Sequence, residues 1–260
     1  MFQLPPIDPV AFSIGPLRIH WYGLMYLLAF IAFYGLGRMR IGDLHRGVAL
    51  AKMDDLLFYG IIGVIVGGRI GYMLFYNFAA LATNPLSLFF IWQGGMSFHG
   101  GLVGVLIAVW VFARSRNIEF LRIIDFVAPL VPIGLGLGRI GNFINGELWG
   151  RITDVPWAVV FPAAGAEPRH PSQLYEFMLE GVLLFIVLWI YTLKPRPVGR
   201  VAAYFALGYG ILRFTVEFTR EPDAHLGFIA FGWMTMGQLL SLVMVAVGIG
   251  LMRYSSKQSA

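Results

Sequence analysis

The chain has 260 residues, of which 58% are hydrophobic and only 13% are charged, and its mean hydropathy is +0.74. Soluble domains carry about 25% charged residues, so this chain has about half the charge needed to cover a globule and is predicted to lie in a membrane. Cysteine is absent, which excludes disulfides, thiolate metal sites and a thiol nucleophile supplied by this chain.

The first twenty residues carry no basic region followed by an apolar one, so we expect no cleaved signal peptide. Residues 10–14 and 17–21 alternate in hydrophobicity on either side of a Gly-Pro turn. This pattern predicts a short hairpin, and we expect residues 1–20 to form an N-terminal arm at the membrane interface.

Seven apolar stretches follow that are long enough to cross about 30 Å of hydrocarbon. They cover residues 21–37, 54–76, 95–113, 121–141, 174–193, 200–219 and 234–252. They lack a period of two, which argues against a β-barrel. The sequence predicts an all-α integral membrane protein with about seven transmembrane helices, four within 21–141 and three within 174–252, followed by a tail at 253–260.

Two predicted external segments are longer than a turn. Residues 77–94 contain Trp92 and an apolar run at 86–91, which is typical of a segment lying along the interface. Residues 142–173 contain four prolines and a strand-like run at 157–161, and we expect them to form a small external cap.

Basic residues are distributed unevenly between the two predicted sides. Of 19 in total, twelve fall in the loops and tail on one side: Arg38, Arg40, Arg46, Lys52, Arg114, Arg116, Arg122, Lys194, Arg196, Arg200, Arg253 and Lys257. The positive-inside rule therefore predicts an N-terminus that faces out and a C-terminus that faces the cytoplasm. The same asymmetry explains the net charge of +5 without a nucleic-acid partner.

Ionisable side chains inside spans are costly and tend to face a polar cavity. In the fourth span Arg139 and Asn142 share a helix face among glycines, and Asn145 and Glu147 follow. One interpretation is a capped helix end with Arg139 extending to the interface; the other is a ligand site.

The sixth span carries polar residues on one face near its predicted outer end. They are Tyr209, Arg213, Glu217 and Arg220. An internal Arg213–Glu217 ion pair would explain two of them. Because Arg139 lies at a similar predicted depth, two guanidinium groups at one level also suggest a site for a lipid phosphate.

Other polar groups admit two interpretations. His99 begins the third span at the same external level as His20 and Tyr22, and could be structural or a base. Glu176, Glu180 and Asp125 could be counter-charges for arginines within spans, with Arg69 as one candidate partner. No metal or cofactor motif is present. The residues alone indicate an enzyme or transporter that handles an anionic lipid at the outer leaflet.

Residues 138–151, GRIGNFINGELWGR, resemble the signature of the bacterial prolipoprotein diacylglyceryl transferases. The resemblance extends to residues 20–23, 68–72, 97–101, 170–176 and 208–214. It implies a seven-helix inner-membrane protein without a cofactor. Such a protein moves the sn-1,2-diacylglyceryl group of phosphatidylglycerol to the lipobox cysteine thiol of an exported prolipoprotein and releases glycerol 1-phosphate.

On this interpretation Arg139 and Arg213 hold the lipid phosphate and stabilise the leaving group, and His99 is the base. Further residues would bind or shape the lipid site: Tyr22, Asn142, Glu147, Gly150, Tyr209 and Glu217, the last by orienting Arg213. Two alternatives stay open, namely a lipid-headgroup transporter or flippase, and an intramembrane serine protease that uses Ser97.

Overall fold

The computed structural model describes residues 2–5, 7–41, 52–222 and 227–257. Arg46 and the last three residues of the predicted tail lie outside this part of the chain. The chain divides into two compact units: residues 1–37 with 125–260, and residues 38–124. Each is described by itself below.

The described chain is mostly helical, and five of its helices are long and apolar enough to cross a membrane. They are α1 (Trp21–Ile41), α2 (Met53–Phe75), α4 (Phe98–Ser115), the composite helix Ser172–Tyr191, and α10 (Met236–Lys257). α1 and α10 are longer than predicted. Arg38 and Arg40 lie within the last turn of α1, and the first part of the predicted tail is helical through Lys257.

The fourth predicted span is broken. It consists of α5 (Phe120–Val127) and α6 (Val131–Ile144), which are bent by 49° relative to each other, so the pair could count as a sixth span. Pro129 lies in the break and Pro132 lies in the first turn of α6. Proline has no backbone N–H and cannot continue a helix from the preceding turn, which explains the bend.

The sixth predicted span is the helix α9 (Arg200–Val216). Its 17 residues are about 25 Å long at 1.5 Å per residue, which is less than the ~30 Å of the hydrocarbon core. Asp125 lies at its beginning and accepts hydrogen bonds from the backbone N–H groups of Gly199 (2.6 Å) and Ala202 (2.7 Å). The carboxylate that we expected to balance an arginine within a span therefore binds the N-terminus of α9.

The composite helix has three parts: α7 (Ser172–Glu176), a π-helical segment (Phe177–Leu183) and α8 (Leu184–Tyr191). It packs closely on α6, since a Cβ atom added to Gly181 would lie 2.9 Å from the Cα atom of Gly136. The two helices can approach this closely only because both positions are glycine. This contact brings the polar ends of α6 and α7 together.

Two small sheets belong to the first unit. β2 (Val10–Ile14) and β3 (Leu17–His20) pair as an antiparallel hairpin, which agrees with the alternation in the sequence. β1 (Phe2–Gln3) pairs parallel with β4 (Val159–Val160), and β4 pairs antiparallel with β5 (Pro168–Arg169). Beside this second sheet a buried cluster of Leu4, Val159 and Phe161 contacts Phe143 and Trp149, which fixes the segment 142–173 to the end of α6.

In the second unit α2 and α4 pack through glycines. A Cβ atom added to Gly67 would lie 2.7 Å from the Cα atom of Gly104, and one added to Gly71 would lie 2.7 Å from that of Gly100. Between these helices are α3 (Phe78–Thr83) and two short 3₁₀ turns, Pro85–Phe89 and Ile91–Gln93.

Candidate functional site

Three arginines contact the carboxylate of Glu176 in the first unit. Arg139 of α6 places Nε 2.7 Å from Oε2, while Arg213 of α9 donates from Nη1 to Oε1. Arg220, which follows α9, lies 3.5 Å from Oε1. Glu176 is fully buried, so these contacts are shielded from solvent and bring the two predicted phosphate-binding residues to one point.

Arg213 also contacts Glu217 one turn along the same helix, with Nη2 2.6 Å from Oε2. Thr235 donates its hydroxyl to the other oxygen of Glu217 at 2.8 Å. A Cβ atom added to Gly237 would lie 2.6 Å from the Glu217 carboxylate, so a larger residue there would displace this carboxylate. Thr235 and Gly237 carry no charge and lie beyond the predicted polar face, so no signal in the sequence marked them as partners of Glu217.

Arg69 has different partners from those the sequence suggested. In the second unit its guanidinium group donates to the backbone carbonyls of Ser87 (2.6 Å), Leu88 (3.1 Å) and Gly94 (2.5 Å). The arginines that contact Glu176 are Arg139, Arg213 and Arg220. Arg69 thus orders the segment between α3 and α4.

The signature segment turns sharply after α6. Gly146 and Leu148 both have positive φ, and in this turn Asn142 donates to the Glu147 carboxylate at 2.8 Å. The backbone carbonyl of Glu147 accepts from Gln173 of α7 at 2.7 Å. The turn therefore joins the ends of α6 and α7, the two elements that carry Arg139 and Glu176.

Gly150 lies between two neighbouring backbone segments. Its N–H donates to the carbonyl of His170 at 2.9 Å, and a Cβ atom added to it would lie 2.6 Å from the carbonyl oxygen of Thr219. Arg151 then donates its backbone N–H to Thr219 (2.8 Å) and its Nε to the carbonyl of Arg220 (2.9 Å). Only glycine fits at position 150, and these bonds hold the backbone at Arg220.

The two predicted tyrosines lie on helices that carry or contact the arginines. Tyr22 of α1 packs against Gly141: a Cβ atom added to this glycine would lie 2.9 Å from the ring of Tyr22. Tyr209 of α9 lies one turn before Arg213 and stacks on Phe205, with ring centroids 6.0 Å apart.

His170, in the segment 142–173, binds the hydroxyl of Tyr175 through Nδ1 at 3.2 Å. The same hydroxyl accepts from the indole of Trp157 at 2.6 Å. Partial burial lowers the pKa of His170, because it disfavours the charged imidazolium.

His99 and Ser97 belong to the second unit. Ser97 caps α4: its hydroxyl accepts from the N–H of Gly100 at 3.2 Å, and its own N–H donates to the carbonyl of Gly68 at 2.9 Å. His99 is the second residue of α4, and its ring lies 5.7 Å from that of Phe98. The geometry thus gives Ser97 a structural task at the helix start.

Comparison with known proteins decides the family. Residues 9–254 match the family model described as prolipoprotein diacylglyceryl transferase. The chain belongs to this family. The resemblance inferred from the signature at 138–151 is therefore confirmed.

Relatives in the prolipoprotein diacylglyceryl transferase family are similar over nearly their whole length. A protein of Coxiella burnetii (strain RSA 331 / Henzerling II) is 58% identical over 248 residues, which is 95% of each chain. One from Legionella pneumophila (strain Lens) is 58% identical over 251 residues, covering 96% of this chain and 98% of the relative. One from Chromohalobacter salexigens is 57% identical over 258 residues, covering 99% and 96%. All three are named phosphatidylglycerol–prolipoprotein diacylglyceryl transferase, and these names give no support to a transporter or a protease.

Proposed function

We propose that this chain transfers the sn-1,2-diacylglyceryl group of phosphatidylglycerol to the thiol of the lipobox cysteine of exported prolipoproteins, the first step of lipoprotein maturation. The observation that carries the proposal is the meeting of Arg139 and Arg213, from different helices, at the buried carboxylate of Glu176. The absence of cysteine from the chain agrees with an acceptor sulfur that arrives on the second substrate.

In the proposed reaction the cysteine sulfur attacks C3 of the diacylglyceryl group and forms a thioether. The bond between C3 and the phosphate oxygen breaks, and its electron pair stays on the oxygen of the departing glycerol 1-phosphate. The thiol proton passes to a base. A free thiol has a pKa of about 8.5, so a base is needed near neutral pH. His99 is our proposed base, on the sequence argument alone.

Arg139 and Arg213 would hold the phosphate and stabilise the charge that develops on the leaving group. A cation placed where charge develops stabilises the transition state more than the ground state, and this difference accelerates the reaction. Arg139 contacts Glu176 through Nε. Glu176 and Glu217 orient the guanidinium groups before the lipid binds.

Five further residues would shape the lipid site. They are Tyr22, Asn142, Glu147, Gly150 and Tyr209. Asn142 and Glu147 are joined at the turn after α6, and Gly150 allows the backbones of His170 and Thr219 to approach closely. Tyr22 lies against the glycine that precedes Asn142, and Tyr209 lies one turn from Arg213.

We also propose the membrane arrangement. The chain would cross the bacterial inner membrane seven times, with α9 and the bent pair α5–α6 as single spans. The N-terminus would be periplasmic and the C-terminus cytoplasmic, in accordance with the distribution of basic residues. The hairpin β2–β3 would lie at the interface, residues 142–173 would form a periplasmic cap, and the reaction would take place toward the periplasmic leaflet.

One incubation tests the reaction. The protein is reconstituted in vesicles containing phosphatidylglycerol and given a lipobox peptide, which is then analysed by mass spectrometry. We expect the peptide to gain one diacylglyceryl group, with release of an equal amount of glycerol 1-phosphate, and no gain on a Cys→Ser peptide. An unmodified peptide, or a shortened one whose appearance depends on Ser97, would refute the proposal.

Arg139→Lys tests the phosphate role, because it keeps the charge and loses the planar donor pair. We expect about a 10²-fold loss of turnover, the effect of removing one donor to a developing charge. Arg122→Lys is the matched control, since Arg122 is half-exposed and pairs with Glu119. Activity near wild type in Arg139→Lys would exclude paired donation.

His99→Gln tests the base. We expect a slower reaction whose dependence on pH, across roughly pH 6 to 9, differs from that of the wild type. A rate equal to the wild type throughout that range would remove His99 from the mechanism.

A further inference from the structure

Glu180 is a buried carboxyl group with no hydrogen bond to either oxygen among the residues that the structure describes. It lies one turn after Glu176, in the π-helical segment Phe177–Leu183, and only 1% of it is exposed. Its nearest cationic atom is Nη1 of Arg213, 3.7 Å away. π-helical segments inside α-helices are frequent at functional sites.

Arg213 lies closer to two other carboxylates than to Glu180. Nη1 donates to Glu176 and Nη2 lies 2.6 Å from Glu217, whereas the nearest approach to Glu180 is 3.7 Å, which is too long for a hydrogen bond. A buried carboxylate ion without hydrogen bonds carries a large desolvation cost, and such a group usually takes up a proton instead. The geometry therefore distinguishes Glu180 from its two neighbours.

Charged groups from several elements surround Glu180. They are Arg139 of α6, Glu176 of α7, Arg213 of α9 and Arg220 beyond it, with the phenol of Tyr209 also close. Among the described residues, the three arginines carry three positive charges, while Glu176 and Glu217, the latter paired with Arg213, carry two negative ones. The cluster is thus neutral if Glu180 is ionised and has a net charge of +1 if Glu180 is protonated.

We propose that Glu180 carries a proton before the lipid binds, and that it thereby leaves the arginine cluster with the single positive charge that one phosphodiester requires. This inference rests on the proposed function, because it takes phosphatidylglycerol as the anion. Glu180 is then a positioning residue: it sets the charge at the arginines and does not itself contact the reacting atoms.

Infrared difference spectroscopy tests the protonation state directly. We expect the spectrum of the wild type minus that of Glu180→Gln, at neutral pH, to contain the carbonyl stretch of a protonated carboxyl group. The same band should be missing from the difference with Glu167→Gln, which makes the same chemical change at an exposed position of the external segment. The Glu180→Asp protein should itself retain the absorption of a protonated carboxyl group, because aspartate preserves that group. A wild-type minus Glu180→Gln spectrum without it would overturn the proposal.

Kinetics in phosphatidylglycerol vesicles test the consequence. Glutamine mimics a neutral carboxyl group, so Glu180→Gln should keep KM for the lipid within about twofold of wild type at neutral pH. As the pH rises and Glu180 ionises in the wild type, KM should increase by about tenfold or more, while KM of Glu180→Gln stays nearly constant. Equal pH profiles for the two proteins, or a large rise in KM for Glu180→Gln at neutral pH, would refute the inference.

The two proposals fail in different ways. If the wild type transfers no diacylglyceryl group to the peptide, the proposed function is wrong, while the infrared measurement still determines the charge of Glu180. If the wild type is active but Glu180→Gln lacks the expected spectroscopic and kinetic differences, only the inference about Glu180 is wrong.

Discussion

Replacement of Glu176 by glutamine should destabilise the protein more than any exposed carboxylate-to-amide change. The substitution preserves shape and one carbonyl oxygen but removes the charge that Arg139, Arg213 and Arg220 share. Removing one partner of a buried ion pair costs about 3–5 kcal/mol, because the remaining charge stays buried without compensation. Three arginines lose their common carboxylate here, so we expect about 4 kcal/mol or more.

Thermal unfolding in detergent measures this loss. At about 2–4 °C per kcal/mol for a chain of this size, the expected fall in Tm is roughly 8–16 °C. Glu167→Gln is the control, since Glu167 is exposed and its replacement should change stability by no more than about 0.5 kcal/mol. Turnover of Glu176→Gln, measured below its own Tm, should also fall because Arg139 and Arg213 are no longer held in place.

A double-mutant cycle shows whether the effect comes from the contact itself. Arg139→Gln and Glu176→Gln should be non-additive, with a coupling free energy between about 0.5 and 3 kcal/mol, because the two side chains lie 2.7 Å apart. A Tm of Glu176→Gln within about 2 °C of wild type, or additive effects in the cycle, would refute the reasoning.

Three further outcomes follow from other contacts. Gly67→Ala should lower stability by about 1–3 kcal/mol, because its Cβ would lie 2.7 Å from the Cα atom of Gly104. Gly60→Ala on the same helix has open space around its Cβ and should be neutral or stabilising. Equal Tm values for the two variants would contradict this packing. Asp125→Ala should cost about 0.5–2 kcal/mol in thermal unfolding, since it removes the acceptor for two N–H groups at the start of α9, and an unchanged Tm would exclude this role. Because burial lowers the pKa of His170, its contribution to stability is present above about pH 6.5 and is lost as the pH falls through the folded-state pKa. His170→Gln should therefore lose less stability than wild type on acidification, and an identical dependence of Tm on pH would contradict that.

The pattern of hydrophobic residues along the sequence determined which segments form helices and which form strands. Uninterrupted apolar runs predicted membrane-spanning helices, because burial in hydrocarbon requires about 20 such residues in succession. Strict alternation before α1 predicted the hairpin, because side chains of a strand point to opposite faces in turn. Both patterns are local, so neither depends on the rest of the fold.

The same local information selected Arg139 and Arg213, since ionisable groups are rare in apolar helices. The i,i+4 spacing also indicated Glu217 as a partner of Arg213, but the sequence could not assign the arginines that contact Glu176. The spacing of residues on a helix determines which face they share, but it does not determine which face of another helix they meet. Glu176 and Arg213 are 37 positions apart, and only the packing of α6, α7 and α9 brings them together.

The tertiary structure also decided details that depend on close approach of backbones. Contact between Gly136 and Gly181 brings α6 against the composite helix, and the carbonyl of Thr219 beside Gly150 excludes any side chain at that position. The sequence by itself determined that arginines and glutamates lie in apolar helices. Within the described part of the chain, the structure decided that Glu176 contacts three arginines while Glu180 has no hydrogen bond, because a carboxylate's partners are set by how helices distant in sequence pack.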